Sequence, residues 1–181
     1  SAAMPAFDRV QREFAPVFND ARLNRRSVRV AAARFVASGA SDAAASADDA
    51  ARQGAYHFMN HADCTAETLL AAHRPALLDR CRAVPAILLA GDTTELPYVQ
   101  RQEIAGMGVL SKARAQGLFG HVSYALTPDG LPLGVVDLLY LSRPKETIGK
   151  GNRAGRYAAP PAERESRKWA QTLDAAAALR R

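Results

Sequence analysis

The sequence has few cysteines, one tryptophan and no long run of apolar residues. Its two cysteines, Cys64 and Cys81, are too few for the disulfide framework of a small secreted domain and favour a reducing compartment. No stretch approaches the roughly 20 apolar residues that cross a bilayer, and no signal-peptide pattern is present at the N-terminus. These absences exclude the disulfide-rich secreted and membrane-spanning classes, so we expect a cytoplasmic protein with no membrane partner.

The chain does contain an excess of basic charge and enough apolar residues for a core. At 181 residues and 48% hydrophobic composition, it can form one domain or two small ones. Lys and Arg number 24 against 18 Asp and Glu, which gives a formal net charge of +6. The excess lies in residues 143–181, where ten basic residues accompany four acidic ones. This balance favours a polyanionic partner.

The N-terminal half is predicted to be helical. Apolar residues from Phe7 to Phe18 recur at spacings of three and four, which is typical of an amphipathic helix. A second helix is predicted from Arg22 to Ser38, with Gly39 after its end. A third runs into residues 53–59, and Thr65 is the predicted N-cap of a fourth.

Arginines are concentrated in the predicted second helix. Spacings of three and four place most of them on one helical face, and Arg34 lies about one turn further on. The residues of this face are Arg22, Arg25, Arg26 and Arg29. Guanidinium groups bind phosphate in a planar, bidentate way, so the face is a candidate contact for the DNA backbone. The alternative is a solvated face with scattered ion pairs.

A zinc site is an alternative function for the end of the third helix. His57 and His61 would share a helical face, and Cys64 follows three residues later, which gives three zinc-type ligands. Cys81 or His73 would have to supply the fourth.

An apolar run, Ala86 to Ala90, stands between Pro85 and Gly91 and predicts a strand buried on both faces. Asp92 would then lie at the C-terminal end of that strand. A carboxylate there needs a cation or hydrogen-bond donors, and oxygen ligands suit Mg²⁺. The alternative is that Asp92 caps a loop through its own backbone.

The last part of the chain predicts a β-hairpin and a helix. Strands at 121–127 and 133–142 are joined by a turn signal at Thr127-Pro128-Asp129-Gly130. Residues 145–161 are predicted to form a basic loop, and residues 165–180 a helix with Trp169, Leu173 and 175–178 towards the sheet. His121 is either a satisfied core residue or a neighbour of an active centre. The fold class is therefore α+β, with one domain at 5–80 and a second at 84–181.

Five motifs in order carry a family resemblance. They are GAYHFMN (54–60), GDTTEL (91–96), GMGVL (106–110), GLFGHVSYALTPDGLPLGVVDLLYLSRP (117–144) and ERESRKW (163–169). Together they resemble the insertion-sequence DDE transposases, the group that includes the transposase of the composite kanamycin-resistance transposon. The resemblance implies an all-helical domain that binds transposon ends, followed by the first part of an RNase H-like core. It also implies that Asp92 is the first of three metal-binding acidic residues, which hold Mg²⁺ or Mn²⁺.

The resemblance assigns further DNA contacts residue by residue. The family's D-x-R-x-x-x-R pattern matches Asp20, Arg22 and Arg26. His57 and Asn60 match its Y-R-F-x-x-N motif, although His57 replaces the usual arginine and is mostly uncharged at neutral pH. Independently of the resemblance, Arg167 and Lys168 lie near the start of the predicted last helix, where the helix dipole does not favour them. Phosphate binding would explain their placement, and so would a tolerant surface.

The family's second Asp and its Glu have no counterparts in this sequence, so we expect the chain to bind double-stranded DNA without cutting it alone. The strand at 86–90 would keep an open edge, which predicts a homodimer or association with the absent C-terminal portion. Two other functions are consistent with the sequence. One is a shortened transposase product that regulates by occupying DNA ends, and the other is a basic α+β protein with no nucleic-acid role.

Overall fold

The computed structural model describes residues 3–14, 16–98, 102–110, 116–143 and 167–180. The chain divides into two compact units, residues 1–80 and residues 81–181. The helices of the first part are α1 (Ala3–Glu13), α2 (Ala21–Val36), α3 (Asp42–Ala45), α4 (Asp49–Met59) and α5 (Ala66–Arg82). The second part contains β1 (Leu88–Tyr98), β2 (Gly108–Val109), β3 (Gln116–Leu126), β4 (Pro132–Leu141) and α6 (Arg167–Ala177), which ends in a 3₁₀ turn at Ala178–Arg180. The α+β class predicted from the sequence is confirmed.

Two apolar clusters hold the helical unit together. In the first, Val10 of α1 packs against Val28 and Ala32 of α2. In the second, Phe18 and Leu23 meet Phe58 of α4, with the two phenyl rings edge to face at 5.8 Å. Each fully buried side chain of this size contributes about 1.5–3 kcal/mol.

The first helix ends earlier than its apolar spacing predicted. α1 stops at Glu13, and Val17 and Phe18 lie in the connection to α2. Pro16 has no amide hydrogen to continue the helix, and the residue before a proline is disfavoured in helical conformation. The amides of Val17 and Phe18 instead donate to Asn24 Oδ1, each at 3.1 Å.

The alanine- and serine-rich segment after α2 forms two helices, not the start of one. Ser41 caps α3 and Asp48 caps α4, accepting from the amides of Ala44 and Ala51 at 3.2 and 2.7 Å. These two local caps divide the segment. The predicted cap at Thr65 is confirmed, since its Oγ1 accepts from the Thr68 amide at 3.1 Å.

An ion-paired contact joins α1 to α5 within the helical unit. Glu13 accepts two hydrogen bonds from the Arg80 guanidinium at 2.7 and 2.6 Å. His73 Nδ1 lies 2.6 Å from the same carboxylate. The sequence contains no local signal for this contact, because its partners are about 60 residues apart.

The second unit contains a four-stranded antiparallel sheet with β3 at its centre. β1 pairs with the whole of β3 on one side, while β2 and β4 pair with successive parts of β3 on the other. β3 and β4 form the predicted hairpin, whose turn has Gly130 at φ +90° and a bond from the Gly130 amide to the Thr127 carbonyl at 2.9 Å. β2 lies within residues 100–112, which the sequence predicted to be a loop.

The prediction of a strand at 86–90 with both faces buried is wrong. β1 begins at Leu88 and continues to Tyr98, and Leu88 is 51% exposed. The apolar run marks only the start of β1, because β3 supplies paired backbone groups along all eleven of its residues. β1 is also at an edge of the described sheet and pairs with β3 on one side only.

Helix α6 covers one face of the sheet; of the residues predicted to face it, Trp169 does and Leu173 does not. Thr172 and Leu179 are buried, whereas Leu173 is 65% exposed and points away. Trp169 is half exposed, although its ring meets His121 edge to face with ring centres 4.7 Å apart. The helix phase is set by the polar contacts of Thr172 described below. The predicted loop at 145–161 lies outside the described residues, and none of the described helices is long and apolar enough to cross a membrane.

Candidate functional site

Four arginines form an exposed stripe along α2. The stripe consists of Arg22, Arg25, Arg26 and Arg29, all exposed. In the part of the chain that the structure describes, no carboxylate is paired with any of them. Arg52 of α4 differs, because its guanidinium lies 2.9 Å from Asp49. The stripe therefore offers guanidinium groups to a ligand from outside, which is not the arrangement of scattered ion pairs considered above.

Arg34 does not belong to this stripe. Its Nη1 donates to the carbonyl of Ala40 at 2.6 Å, and the side chain is half buried. Arg34 thus stabilises the chain after α2.

Two residues build the start of α2 and fix where the stripe begins. Asp20 is the N-cap, and its carboxylate accepts from the Arg22 amide at 2.6 Å. Asn24 Oδ1 accepts from the amides of Val17 and Phe18, and Asn24 Nδ2 donates to the carbonyl of Phe18 at 2.6 Å. These bonds hold the segment before α2 against the helix. Sequence reasoning missed Asn24; an asparagine in the first turn of the predicted second helix was the available signal.

α4 brings its own predicted contacts to the exposed surface. His57 and Asn60 are both exposed, and Asn60 Nδ2 donates to the carbonyl of Tyr56 at 2.9 Å at the helix end. Gly54, one turn before His57, faces Arg26: a Cβ at Gly54 would lie 3.7 Å from Arg26 Nε. A groove of about 760 Å³ runs between α2, α3 and α4, with Arg26 and Arg29 among its lining residues. α2 and α4 thus present one continuous surface.

The zinc alternative is not supported by the geometry. Among the described residues, no three His, Cys, Asp or Glu side chains come together in a group that could hold a metal ion. The His61 Nδ1 accepts from the Asp63 amide at 3.2 Å. Burial raises the pKa of the Cys64 thiol, which disfavours the thiolate that zinc needs.

Asp92 lies in the middle of β1, which corrects its predicted position at the end of a strand. It pairs with Val122 of β3, and its side chain is exposed. Because side chains alternate along a strand, Asp92 and Thr94 share one face while Gly91 and Thr93 face α6. Asp92 is therefore on the sheet face opposite α6.

A second carboxylate of the sheet does not join Asp92. Asp137 pairs with Ser123, whose side chain bonds to Thr172 of α6, so Asp137 is on the α6 face. The described residues thus supply one carboxylate on the Asp92 face and no complete ligand set for Mg²⁺. An exposed carboxylate remains suitable as a single ligand in a larger set.

His121 lies behind Asp92, on the α6 face. It is 1% exposed, and its Nδ1 lies 2.9 Å from Thr93 Oγ1. Burial and then the positive charge of Lys168 lower the pKa of His121, and the Asp92 backbone and the Asp137 and Asp92 carboxylates offset only part of that effect. His121 is therefore a neutral, hydrogen-bonded core residue that also adjoins the Asp92 strand.

The two predicted contacts at the start of α6 differ in what the structure describes. Arg167 is the first residue of the helix, and its side chain lies outside the described atoms. Lys168 is half buried, and its Nζ donates to Thr93 Oγ1 at 2.8 Å. Sequence reasoning missed Thr93 and Thr172 as partners; for Thr172 no signal existed, because its role depends on the phase of α6 against the sheet.

Comparison with known proteins gives a match over the first unit. Residues 9–64 match the model of the transposase DNA-binding family. The match begins within α1, covers the arginine stripe of α2 and ends just after α4. No curated protein matches the chain. Residues 9–64 are thus similar to transposase DNA-binding domains, and the function that accompanies this similarity is DNA binding related to transposition.

Proposed function

We propose that this chain is the N-terminal portion of a DDE-type transposase of the insertion-sequence group, and that it binds double-stranded DNA at transposon ends. The unpaired arginine stripe of α2 would hold the phosphate backbone, with His57 and Asn60 on the adjoining α4 surface. The observation that carries the proposal is that the stripe lies inside the matched residues 9–64.

For the second unit we propose the first part of an RNase H-like core. Support comes from a strand, a hairpin and a helix in the expected order, with an exposed aspartate on the uncovered face. In this proposal Asp92 is the first metal-binding carboxylate, for Mg²⁺ or Mn²⁺, and further acidic ligands come from outside this sequence. Two metal ions require several carboxylates, so we expect no DNA cleavage by this chain alone.

The exposed edge of β1 suggests how further chain would join. Within the described residues, β1 has a strand partner on one side only. Unpaired backbone groups on a strand edge favour pairing with another strand. We propose that this edge associates with a second copy of the chain or with the remainder of a transposase.

A second candidate is a non-catalytic regulator that occupies transposon ends. It is favoured because, among the described residues, no group of three or more His, Cys, Asp or Glu side chains could hold a metal ion at Asp92. Both candidates require DNA binding. They differ in whether DNA cleavage appears when a separate polypeptide supplies the remaining acidic residues.

The test is a salt titration of duplex DNA affinity for the wild-type chain and for the variant Arg22→Ala/Arg25→Ala/Arg26→Ala/Arg29→Ala. Each lost phosphate contact reduces the slope of log affinity against log salt by about 0.9. We expect a clearly shallower slope and weaker binding at low salt for the variant. Incubation of the wild-type chain with end DNA and Mg²⁺ or Mn²⁺ is expected to give no nicking.

The matched control is Arg52→Ala, which removes an arginine already paired with Asp49. It is expected to leave the slope unchanged. An equal loss for Arg52→Ala would mean that general positive charge, not the stripe, binds DNA. Metal-dependent nicking that disappears in Asp92→Ala would contradict the proposed need for further acidic residues.

A further inference from the structure

A chain of polar side chains lies between β1, β3 and α6. Lys168 Nζ donates to Thr93 Oγ1 at 2.8 Å, and Thr93 Oγ1 lies 2.9 Å from His121 Nδ1. On the other side of the imidazole, Nε2 lies 3.5 Å from Thr172 Oγ1, which also meets Ser123 Oγ at 2.9 Å. Two strands and a helix are thus connected through their side chains.

The hydrogen bonds of this network have one consistent donor-to-acceptor order. An ammonium group only donates, so Lys168 leaves the Thr93 hydroxyl free to donate to His121 Nδ1. The neutral imidazole then carries its proton on Nε2, which faces Thr172. The Thr172 hydroxyl donates to the backbone carbonyl of Lys168 at 3.0 Å. The network starts and ends on Lys168.

Lys168 and Thr93 are half buried, and the rest of the network is buried, so its bonds are costly to break. His121 is 1% exposed, Ser123 0% and Thr172 6%. No buried side-chain nitrogen or oxygen among the described residues lacks a partner. Removing one hydroxyl or the ammonium would leave its partner without that hydrogen bond, and the cost is largest where the partner is buried.

Both neighbours of Asp92 in β1 are held by α6. Thr93 is held through Lys168 and His121, as described above. Gly91 lies directly under Trp169, because a Cβ at Gly91 would be 2.9 Å from Trp169 Cζ3. Asp92 itself points to the opposite face, so its backbone is fixed from behind at the two adjacent residues.

We propose that Lys168 is a positioning residue: through Thr93 and His121 it docks α6 on β1 and fixes the strand backbone at Asp92. The inference rests on the proposed role of Asp92 as a metal ligand. It gives the Lys168 ammonium an internal function, in addition to or in place of the phosphate contact predicted from its position near the helix start.

The test uses hydrogen exchange of the amides at residues 91–93 and the fluorescence of Trp169, the single tryptophan of the chain. Lys168→Met removes the bond between Lys168 and Thr93, and Thr93→Val removes that bond and the bond to His121. We expect exchange at 91–93 to become roughly tenfold faster in both, as for loss of a hydrogen bond to a charged group. Trp169 emission is expected to shift to the red as its ring leaves Gly91.

Three conservative or control variants make the test specific. Lys168→Arg and Thr93→Ser keep a donor and a hydroxyl, and are expected to retain the wild-type exchange and emission. Thr94→Val removes the neighbouring hydroxyl on the opposite, exposed face and is expected to change neither. If Lys168→Met or Thr93→Val does not fold, wild-type exchange and emission in the conservative variants still support the network. Tenfold faster exchange at 91–93 in Thr93→Ser would overturn it.

DNA affinity measured on the same variants separates this inference from the proposed function. Thr93→Val is expected to bind DNA within twofold of wild type, because the arginine stripe is unchanged. Wild-type exchange at 91–93 in Lys168→Met, together with weaker DNA binding, would overturn the positioning role and leave Lys168 as a phosphate contact. Absence of DNA binding by the wild-type chain would remove the proposed function and leave the exchange result interpretable.

Discussion

Single atoms decide how closely β1 can approach β3. Gly117 of β3 lies against β1, and a Cβ there would collide with the backbone carbonyl of Leu96. A backbone oxygen in a paired strand has no room to move. We expect Gly117→Ala to force the two strands apart and lower the free energy of unfolding by about 1–3 kcal/mol. Chemical denaturation followed by Trp169 fluorescence measures this, since Trp169 belongs to the same unit.

Gly120, three residues further along β3, is the matched control. A Cβ there would meet the Leu96 Cδ1 at 3.3 Å and the Thr94 Cγ2 at 4.0 Å, both on side chains that can rotate. Gly120→Ala is therefore expected to cost less than Gly117→Ala. Equal losses for the two variants would mean that the close approach of the strands at Gly117 does not set the cost.

At the scale of helices and strands, the sequence predicted the elements better than their ends. The β3–β4 hairpin followed from Thr127-Pro128-Asp129-Gly130, because a turn residue with positive φ is a local property. The length of β1 did not, since its residues beyond Ala90 form a strand only because β3 pairs with them. The motif predicts Asp92 as a site residue, but its place in the middle of the strand depends on that pairing.

The α1–α5 contact also could not be predicted from local sequence, and it predicts that the stability of the helical unit depends on pH. Hydrogen bonds and charge from Arg80, with the charge of His73, lower the pKa of Glu13 although burial alone would raise it. A lowered carboxyl pKa stabilises the fold above the unfolded value of about 4.5, and this stability is lost as the pH falls through the folded pKa. Burial lowers the pKa of His73, and Glu13 offsets only part of this effect. As the pH falls below about 6.5, the His73 imidazole therefore binds a proton more readily in the unfolded chain than in the folded one. Both effects destabilise the helical unit in acid.

We therefore expect thermal unfolding, followed by circular dichroism at the helical minimum, to shift to lower temperature between pH 6.5 and 4. Glu13→Gln is expected to unfold at lower temperature than wild type at pH 7, and to show a weaker dependence below pH 4.5 because the carboxyl titration is removed. The control is Glu67→Gln, an exposed carboxylate in the first turn of α5. A pH profile for Glu13→Gln that parallels the wild type would contradict a role for the Glu13 carboxylate.

At the scale of the whole molecule, the family match lies within the helical unit, and the two units present different surfaces. Among the described residues, the arginine stripe of the helical unit has no paired carboxylate and lies within residues similar to transposase DNA-binding domains. The sheet unit presents Asp92 exposed in the middle of β1 and a strand edge with apolar residues at its start. DNA binding can therefore be tested on this chain by itself, whereas the proposed metal chemistry needs a partner for the second unit.

The β1 edge makes the last prediction, which concerns assembly. Leu88 is 51% exposed at the start of β1, and charged side chains on an edge strand oppose pairing with another chain. We expect the molar mass of the wild-type chain, measured by light scattering, to rise with concentration, and Leu88→Lys to shift the sample towards monomer. Leu131→Lys adds the same charge at a 62% exposed leucine in the hairpin turn and is expected to behave as wild type. A wild-type chain that stays monomeric at all concentrations would show that the β1 edge does not bind a second copy, and an equal shift with Leu131→Lys would assign the effect to net charge.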